Sequence, residues 1–270
     1  MSGDKGECTL KQRLVRNAML VFLTLLVIFA SGCTDNSDSE DAPVQETTDE
    51  GMANETNSAD EASVDMVDTA DFVESVDNRY FPLEPGTTFV YEGQVQTTDT
   101  DIEVYVTDQT KDVMGVTTTV VRQSESFDGE LVEETDSWYA QDVDGNVWYF
   151  GKDVKDYDNG EVVSTEGSWE AGVDGAEPGI VMFGDPQPGL AYRQVYYENR
   201  LEDQAAVVSL TENVTVPYGS FENSLLIRQW SDLEMGYEVN KYYAENVGLI
   251  KEIAVRGSDE EFELVNVTSE

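Results

Sequence analysis

The sequence predicts an all-β fold in residues 78–270, a curved antiparallel meander that forms a half-barrel or barrel-like sheet. In this region apolar and polar residues alternate with a period of two, and Val, Thr, Tyr, Phe and Trp dominate the alternating segments. The breaks between segments contain Asp-Gly, Asn-Gly and Pro-Tyr-Gly steps, which are typical of tight turns. No segment shows the 3.6-residue period of an amphipathic helix.

Residues 1–32 are interpreted as a lipoprotein signal peptide. Four basic residues precede the apolar run 19–30, whose dozen residues at ~1.5 Å each are too short for a ~30 Å hydrocarbon core. Three small residues then precede Cys33, which is typical of a cleavage site. This ending resembles the lipobox of prokaryotic lipoproteins, with Ala30 where Leu is common, and the resemblance implies lipidation of Cys33. The alternative is a transmembrane anchor with an incidental Cys.

Residues 33–77 are predicted to form a disordered acidic tether that begins at the lipidated Cys33. Between Thr34 and Asp77 there are 15 Asp and Glu residues and no Lys or Arg. High net charge with little apolar surface to bury favours disorder. A weak helix over 64–77 is an alternative. We expect a chain anchored by lipid to the cell membrane and facing outside the cytoplasm.

The remaining residues, 78–270, are predicted to form a single extracytoplasmic domain that is strongly acidic. The whole chain has a formal net charge of −41, and this domain has 11 Lys and Arg against 39 Asp and Glu. Nucleic-acid binding needs the opposite charge, because its affinity comes from neutralising phosphates. Dense surface acid keeps proteins soluble at high salt, so we expect a halophilic or marine prokaryotic host.

Twelve segments of the domain are predicted to be strands. Asp-Gly and Asn-Gly steps supply the positive φ of tight hairpins, which we expect at 127–130, 143–146 and 157–161. The long break 171–189 is predicted to be a loop over one end or face of a sheet that must curl or close. The strands are predicted at 87–97, 101–108, 115–127, 129–142, 145–154, 160–169, 191–200, 205–216, 223–231, 236–245, 248–255 and 262–268.

Five strings of the domain resemble known envelope proteins. They are DNRYFPLEPGTTFVYEG, WYAQDVDGNVWYFG, GSWEAGVDGAEPG, VTVPYGSFENSLLIRQW and KYYAENVGLIKEI. Together they resemble an uncharacterised family of secreted prokaryotic lipoprotein β domains, and the last two resemble TapB-like envelope proteins. There a VP-x-G-x-F turn precedes one strand and a YY…GVGL(I/V)K strand follows. The resemblance spans most of 78–270 and implies the open half-barrel sheet of periplasmic lipoprotein carriers, without an established activity or catalytic residue.

Residue types limit the chemistry of the domain. Histidine is absent from the chain, and both cysteines, Cys8 and Cys33, precede the domain. This argues against His metal sites, catalytic triads, His general bases and thiol catalysis in it. No glycine-rich nucleotide motif is present, so no cofactor is expected. Two carboxylates can hydrolyse a glycosidic bond, but 39 acids form close pairs without function, so no catalytic residue is assigned and no enzyme is expected.

Pairs of adjacent aromatic residues are the candidate ligand groove. Neighbouring residues of a strand point to opposite faces, so one member of each pair is expected in the core and the other on a surface or cavity. The alternative is that they only pack as cross-strand pairs. The candidate groove residues are Trp138, Tyr139, Trp148, Tyr149, Tyr196, Tyr197, Tyr242 and Tyr243.

Two weaker motifs complete the candidate sites. Asp142, Asp144 and Asn146 resemble the start of a calcium loop, but the glycine is fourth rather than sixth and the flanking strands favour a hairpin turn. We therefore predict no metal site and keep these three residues as a weak calcium candidate. N-glycosylation sequons, relevant only in a host that glycosylates, are present at Asn54, Asn213 and Asn266.

The sequence therefore favours a membrane-anchored extracytoplasmic lipoprotein that binds an unknown ligand or protein partner in the cell envelope without catalysis. One alternative is a structural or interaction component that has no ligand pocket. The other is a carboxylate-based glycan hydrolase, which would need two acids with raised pKa in an aromatic cleft.

Overall fold

The structure, a computed structural model, describes residues 68–270. The predicted signal peptide, Cys33, most of the predicted tether and Asn54 lie outside the described residues. In the described part, no helix has the length and apolar character needed to cross a membrane.

Seventeen strands and one 3₁₀ turn, Thr69–Asp71, make up the regular structure of residues 68–270. Eleven of the twelve predicted strands are found, several of them longer than predicted, whereas the predicted strand 160–169 is divided into two short strands, Glu161–Ser164 and Trp169–Glu170. The strands are β1 (Phe72–Val73), β2 (Asp77–Asn78), β3 (Phe81–Pro82), β4 (Thr87–Val95), β5 (Thr98–Val113), β6 (Val116–Phe127), β7 (Glu130–Asp142), β8 (Val147–Asp158), β9 (Glu161–Ser164), β10 (Trp169–Glu170), β11 (Gly179–Met182), β12 (Ala191–Tyr197), β13 (Leu201–Val216), β14 (Gly219–Ser231), β15 (Glu238–Ala244), β16 (Gly248–Arg256) and β17 (Glu261–Ser269).

Fifteen of these strands form one antiparallel sheet, which confirms the predicted all-β meander. Its order is β10-β8-β7-β6-β5-β4-β17-β16-β15-β14-β13-β12, with β1 added to β7, and β9 and β11 added to β8. The sheet thus consists of two meanders, β4–β8 and β12–β17. They are joined where β4, the first long strand, pairs with β17, the last.

Two of the three predicted tight hairpins are found, at the Asp-Gly and Asn-Gly dipeptides that predicted them. Asp128 and Gly129 connect β6 to β7 with φ of 51° and 79°, and Asn159 and Gly160 connect β8 to β9 with φ of 52° and 79°. These are the positive values that two-residue hairpin loops require. The third predicted hairpin, 143–146, is a four-residue connection between β7 and β8.

The break 171–189 is not only a covering loop, because it contributes a strand to the sheet. Strand β11 pairs with β8, and Glu177 forms an isolated bridge with Tyr196 of β12. The segment therefore lies between β8 and β12. Within residues 68–270 a single bridge, not a ladder, spans this position, and the sheet is not closed into a barrel.

Residues 68–77, which the charge pattern placed in the tether, contact the sheet. β1 pairs with β7, and the Phe72 ring packs edge-on against Trp148 and Phe150, with centroids 6.2 Å and 5.5 Å away. Val76 is buried. These two apolar side chains find partners that an isolated acidic segment lacks, and no α-helix forms over 68–77.

The cross-strand register defines one buried face of the sheet, which we call the inner face. Ile102 of β5 lies opposite Tyr91 of β4, which lies opposite Leu264 of β17. Ile102, Leu264 and Phe262 are completely buried. Phe262 lies opposite Gly93, where a Cβ would approach its ring to 2.6 Å, so the glycine makes room for this core side chain.

Candidate functional site

A buried ion pair continues the inner face beyond Phe262. Glu252 of β16 lies opposite Phe262, and Lys241 of β15 lies opposite Glu252. The Lys241 Nζ is 3.3 Å from Glu252 Oε2, and the two side chains are 3% and 0% exposed. Sequence reasoning missed both residues, because a charged side chain in an alternating strand is normally assigned to the solvent face.

A second lysine lies on the inner face, in the other meander of the sheet. Lys152 of β8 is opposite Ser137 of β7 and is 2% exposed. Burial lowers the pKa of Lys152 to about 8, although Glu133, Asp203 and Asp156 oppose that shift by stabilising its charge.

Carboxyl groups outnumber the lysines in this interior. Burial raises the pKa of Asp203 to about 7 against the opposing effect of Lys152 and Lys241, and it raises the pKa of Glu252 to about 7 against Lys241. The pKa of Glu125 lies well above its ordinary value, because burial and the neighbouring acids both favour its neutral form. The interior therefore holds protons that an exposed acid would release at neutral pH.

A cavity of about 90 Å³ adjoins this ionic cluster. Its side towards solvent consists of half-buried apolar residues, among them Phe81, Pro82 and Leu249. Its polar end is formed by Gln123, Ser137 and Lys241. The other lining residues are Leu83, Phe89, Tyr91, Val104, Val121, Tyr139, Tyr243, Val247 and Gly248.

The cavity and the ionic cluster share two residues. Lys241 lines the cavity and pairs with Glu252, while Ser137 lines it and lies opposite Lys152. The cavity thus has an apolar entrance and a floor backed by buried charges. This arrangement suits a ligand that carries an apolar chain and a polar group at one end.

Two of the eight predicted groove aromatics, Tyr139 and Tyr243, line the cavity. Tyr139 stacks on Tyr149 with a centroid separation of 5.1 Å, and Phe81 packs on Tyr139 at 5.3 Å. Tyr149 is 1% exposed and packs edge-on against Trp169, so it supports the lining residue Tyr139 from within the core.

Both tryptophans of the predicted groove lie away from the cavity. Trp138 is buried under Lys111, whose Nζ is 3.4 Å from the ring centroid. Lys111 in turn donates to Glu170 at 2.7 Å. Trp148 is half-buried and donates its indole N–H to Asp142. Packing, the alternative weighed for these pairs, describes both positions.

The remaining tyrosines of the predicted groove also lie outside the cavity lining. Tyr196 and Tyr197 are at the β12 end of the sheet, where the guanidinium groups of Arg193 and Arg200 lie over their rings at 4.3 Å and 4.8 Å. Tyr242 is half-buried and points to the opposite face from Lys241 and Tyr243, its neighbours in β15.

The calcium candidate is organised as a hydrogen-bonded turn. The Asp142 carboxylate accepts from the backbone N–H of Asp144 and Asn146, from the Asn146 side chain and from Trp148, at 2.8–3.0 Å. Asn146 Oδ1 accepts from the Gly184 N–H at 3.0 Å. Among residues 68–270 no group of three or more acids is placed to hold a metal ion.

Two of the three sequons fall within the described residues. Asn213 is exposed on β13, and Asn266 is exposed on β17 opposite Val90. Both side chains are accessible for modification.

Comparisons with known proteins give structural neighbours of low sequence identity. No family model and no curated protein matches the chain. One similar solved structure is a candidate exported protein with a YmcC-like fold from Bacteroides fragilis, with 15% identity, 71% of this chain and 100% of that chain covered, and a TM-score of 0.45. Another is a candidate lipoprotein from Parabacteroides distasonis, with 13% identity, coverage of 71% and 99%, and a TM-score of 0.39. The TapB-like resemblance stays a prediction.

The raised pKa values predict that this protein is more stable in mild acid than at neutral pH. Asp203 and Glu252 have ordinary values of 3.8 and 4.5 and values of about 7 when folded. Because the folded state holds these protons more tightly, their contribution is complete below the ordinary values and is lost as the pH rises through about 7. The expected slope is about 1.4 kcal/mol per pH unit for each carboxyl group.

Denaturant midpoints measured at constant high salt from about pH 5 to 8 test this expectation. The opposite effect of Lys152 lies above this range, because its pKa changes from 10.5 to about 8 on folding. The double variant Asp203→Asn/Glu252→Gln should have a shallower profile, in which the contribution of other buried acids such as Glu125 remains. A wild-type midpoint that rises towards pH 8 would contradict the prediction.

Proposed function

We propose that this protein is a lipid-anchored, extracytoplasmic binding protein that takes up the apolar chain of an amphiphilic molecule in the inner-face cavity. Binding, not catalysis, is its role in this proposal. The acidic tether would hold the domain away from the membrane on the outer side, in a saline environment.

The observation that carries the proposal is the make-up of the cavity. Phe81, Pro82 and Leu249 surround an entrance that is only half-buried, and aliphatic residues continue inward to a polar end. An engineered apolar cavity of ~150 Å³ binds benzene, and the apolar part of this smaller cavity suits the end of an apolar chain. Small-molecule sites commonly combine such an apolar wall with a few polar groups.

The cavity lining has no pair of carboxyl groups, which favours binding over hydrolysis. No carboxylate belongs to the lining, whose polar groups are an amide, a hydroxyl, a lysine and tyrosines. Glycosidic hydrolysis uses two carboxyl groups on either side of the bond. The acids of the ionic cluster lie behind Lys241 rather than around the cavity.

Blocking the entrance is expected to abolish binding of an apolar probe. Leu249→Trp places a large ring at the half-buried entrance without inserting it into the closed core. The soluble chain 34–270, which contains the whole described sheet, is titrated at high salt with N-phenyl-1-naphthylamine, whose fluorescence rises in apolar sites. We expect saturable binding to the unchanged chain and at least about tenfold weaker binding to the variant, equivalent to about 1.4 kcal/mol.

The matched control is Val162→Trp, at a position on β9 that is 51% exposed and outside the cavity lining. This control should bind like the unchanged chain. Equal affinity of the Leu249→Trp chain and the control would refute the assignment of this cavity, and so would the lack of saturable binding by the unchanged chain.

A further inference from the structure

We propose that the ligand of the cavity carries a carboxylic acid head group, which Lys241 receives, and that its binding is coupled to the uptake of one proton. This inference rests on the proposed function and adds to it the chemical class of the head group. Three features support it: the hydrogen-bond donors at the polar end, the excess of acidic over basic groups around Lys241, and the buried ion pair of Lys241 with Glu252.

The polar end of the cavity is rich in hydrogen-bond donors. Lys241 contributes an ammonium group with three N–H bonds, Ser137 a hydroxyl and Gln123 an amide. A carboxyl group offers two acceptor oxygens to such donors. An ammonium head group offers no acceptor to these donors and would lie beside the like charge of Lys241, which disfavours it at this end.

The charges behind Lys241 determine the proton balance. The nearest is Glu252, 3.3 Å away, and Asp203 of β13 also interacts electrostatically with Lys241. The cluster holds two lysines and more than twice as many carboxyl groups. Its titratable members, by element, are Tyr91 on β4, Glu125 on β6, Glu133 and Tyr139 on β7, Tyr149, Lys152 and Asp156 on β8, Asp203 on β13, Lys241 and Tyr243 on β15, Glu252 on β16, and Glu234, Tyr237 and Glu260 in the turns that precede β15 and β17.

An ionised head group would add a negative charge to an interior that already has an excess of acid. Among the described residues, no donor lies within hydrogen-bond reach of two buried oxygens, Glu125 Oε1 and Asp203 Oδ1, so the carboxyl groups of the cluster are already short of hydrogen-bond donors. The incoming charge makes protonation of Glu252, Asp203 or the head group itself more favourable. Up to one proton therefore enters with each ionised ligand, and Lys241 transfers its contact from Glu252 to the head group.

The sign of the pH dependence follows from this coupling. The complex binds protons more tightly than the free protein, so a lower pH favours the complex. The pKa values of Asp203 and Glu252 are about 7 in the free protein and rise further on binding. The affinity for a carboxylate should therefore fall as the pH rises above about 7, by up to about tenfold per pH unit, which is the limit for one proton.

The experiment compares three competitors that share one chain, decanoate, decanol and decylamine. Each displaces N-phenyl-1-naphthylamine from the chain 34–270 at about pH 6, 7 and 8, below its aggregation limit and at constant salt. Decanol carries no charge, so the ratio of the decanoate and decanol affinities removes any effect of pH on the cavity itself. We expect this ratio to fall by at least about fivefold between pH 7 and 8, with decylamine the weakest competitor.

The possible results separate the two proposals. If decanol does not compete at all, the proposed apolar site itself is refuted. If decanol competes but the ratio is independent of pH, or decylamine competes best, the site stands and the head-group inference is overturned.

Variants assign the effect to Lys241. Lys241→Met should reduce the affinity for decanoate at least about tenfold at pH 6 and leave that for decanol within about twofold. Since this change leaves Glu252 buried without its partner, Lys241→Met/Glu252→Gln provides a second, uncharged form for the same measurement. Lys155→Met alters a lysine on β8 outside the cavity lining and should change neither affinity. Unchanged decanoate binding in the uncharged double variant would overturn the role of Lys241.

Discussion

Glu252→Ala is expected to lower the free energy of unfolding by about 3–5 kcal/mol. The substitution removes the carboxylate 3.3 Å from Lys241 Nζ and leaves a lysine side chain that is only 3% exposed. A buried charge that loses its partner retains its full desolvation penalty. Denaturant titration of the chain 34–270 at constant high salt measures the loss.

Two controls separate the buried charge from the lost contact. Lys241→Met/Glu252→Leu replaces both members with apolar side chains of similar volume, and it should recover most of the lost stability. Glu245→Ala breaks the surface pair with Arg79, whose side chains are 53% and 44% exposed, and should cost at most about 1 kcal/mol. A Glu252→Ala loss no larger than the Glu245→Ala loss would show that Lys241 is solvated.

Gly93→Ala is expected to destabilise the protein by about 3 kcal/mol or more, at the upper end of overpacking effects. A Cβ at this position would lie 2.1 Å from the Glu261 carbonyl oxygen and 2.6 Å from the Phe262 ring. The first of these is backbone of the neighbouring strand, so relief requires β4 and β17 to separate. The free energy of unfolding and the yield of folded protein report the effect.

Gly129→Ala is the matched control for this substitution. Gly129 has a φ of 79° in the β6–β7 turn, and a Cβ there would meet nothing within 4 Å. Only conformational strain of about 1–2 kcal/mol is expected. If Gly93→Ala costs no more than this control, the close approach of β4 and β17 is not essential to the fold.

Local patterns were sufficient to predict most strands and two of the hairpins. Asp128-Gly129 and Asn159-Gly160 determine their turns by backbone preference alone, and period-two alternation marks the strands between the turns. The pairing of β4 with β17 was not predictable in this way. The two strands are separated by most of the domain, and no short-range signal sets their register.

The ionic cluster was missed for a different physical reason. In the string GLIKEIAV, Lys251 and Glu252 are adjacent charges, yet Lys251 is half-buried beside Glu261 and Glu263 and Glu252 is 1% exposed. A single sequence shows that one of two neighbouring residues in a strand points inward. It does not show which one, because that depends on the register that places Glu252 opposite the buried Lys241. Of the eight aromatic residues predicted to form a groove, only Tyr139 and Tyr243 line the cavity.

Two of the predicted groove aromatics, Trp138 and Trp148, did not become an exposed groove wall, because additional chain packs on them. Lys111, which donates to Glu170 of β10, lies over the Trp138 ring, and Phe72 packs edge-on against Trp148. These covering segments lie in regions assigned from composition to a tether and to strand ends. Short strands of two residues have too few positions to show a period.

The pairing of the first long strand with the last has a consequence for how the chain acquires its structure. Ser269 lies opposite Thr87, so the contacts that join the two meanders span a sequence separation close to the length of the domain. Pairings this distant raise contact order and slow folding, because the chain must close a very large loop before they stabilise it. Until β17 emerges from synthesis, β4 and β16 each present an unpaired edge. A chaperone that covers these edges would protect them from other chains during that interval.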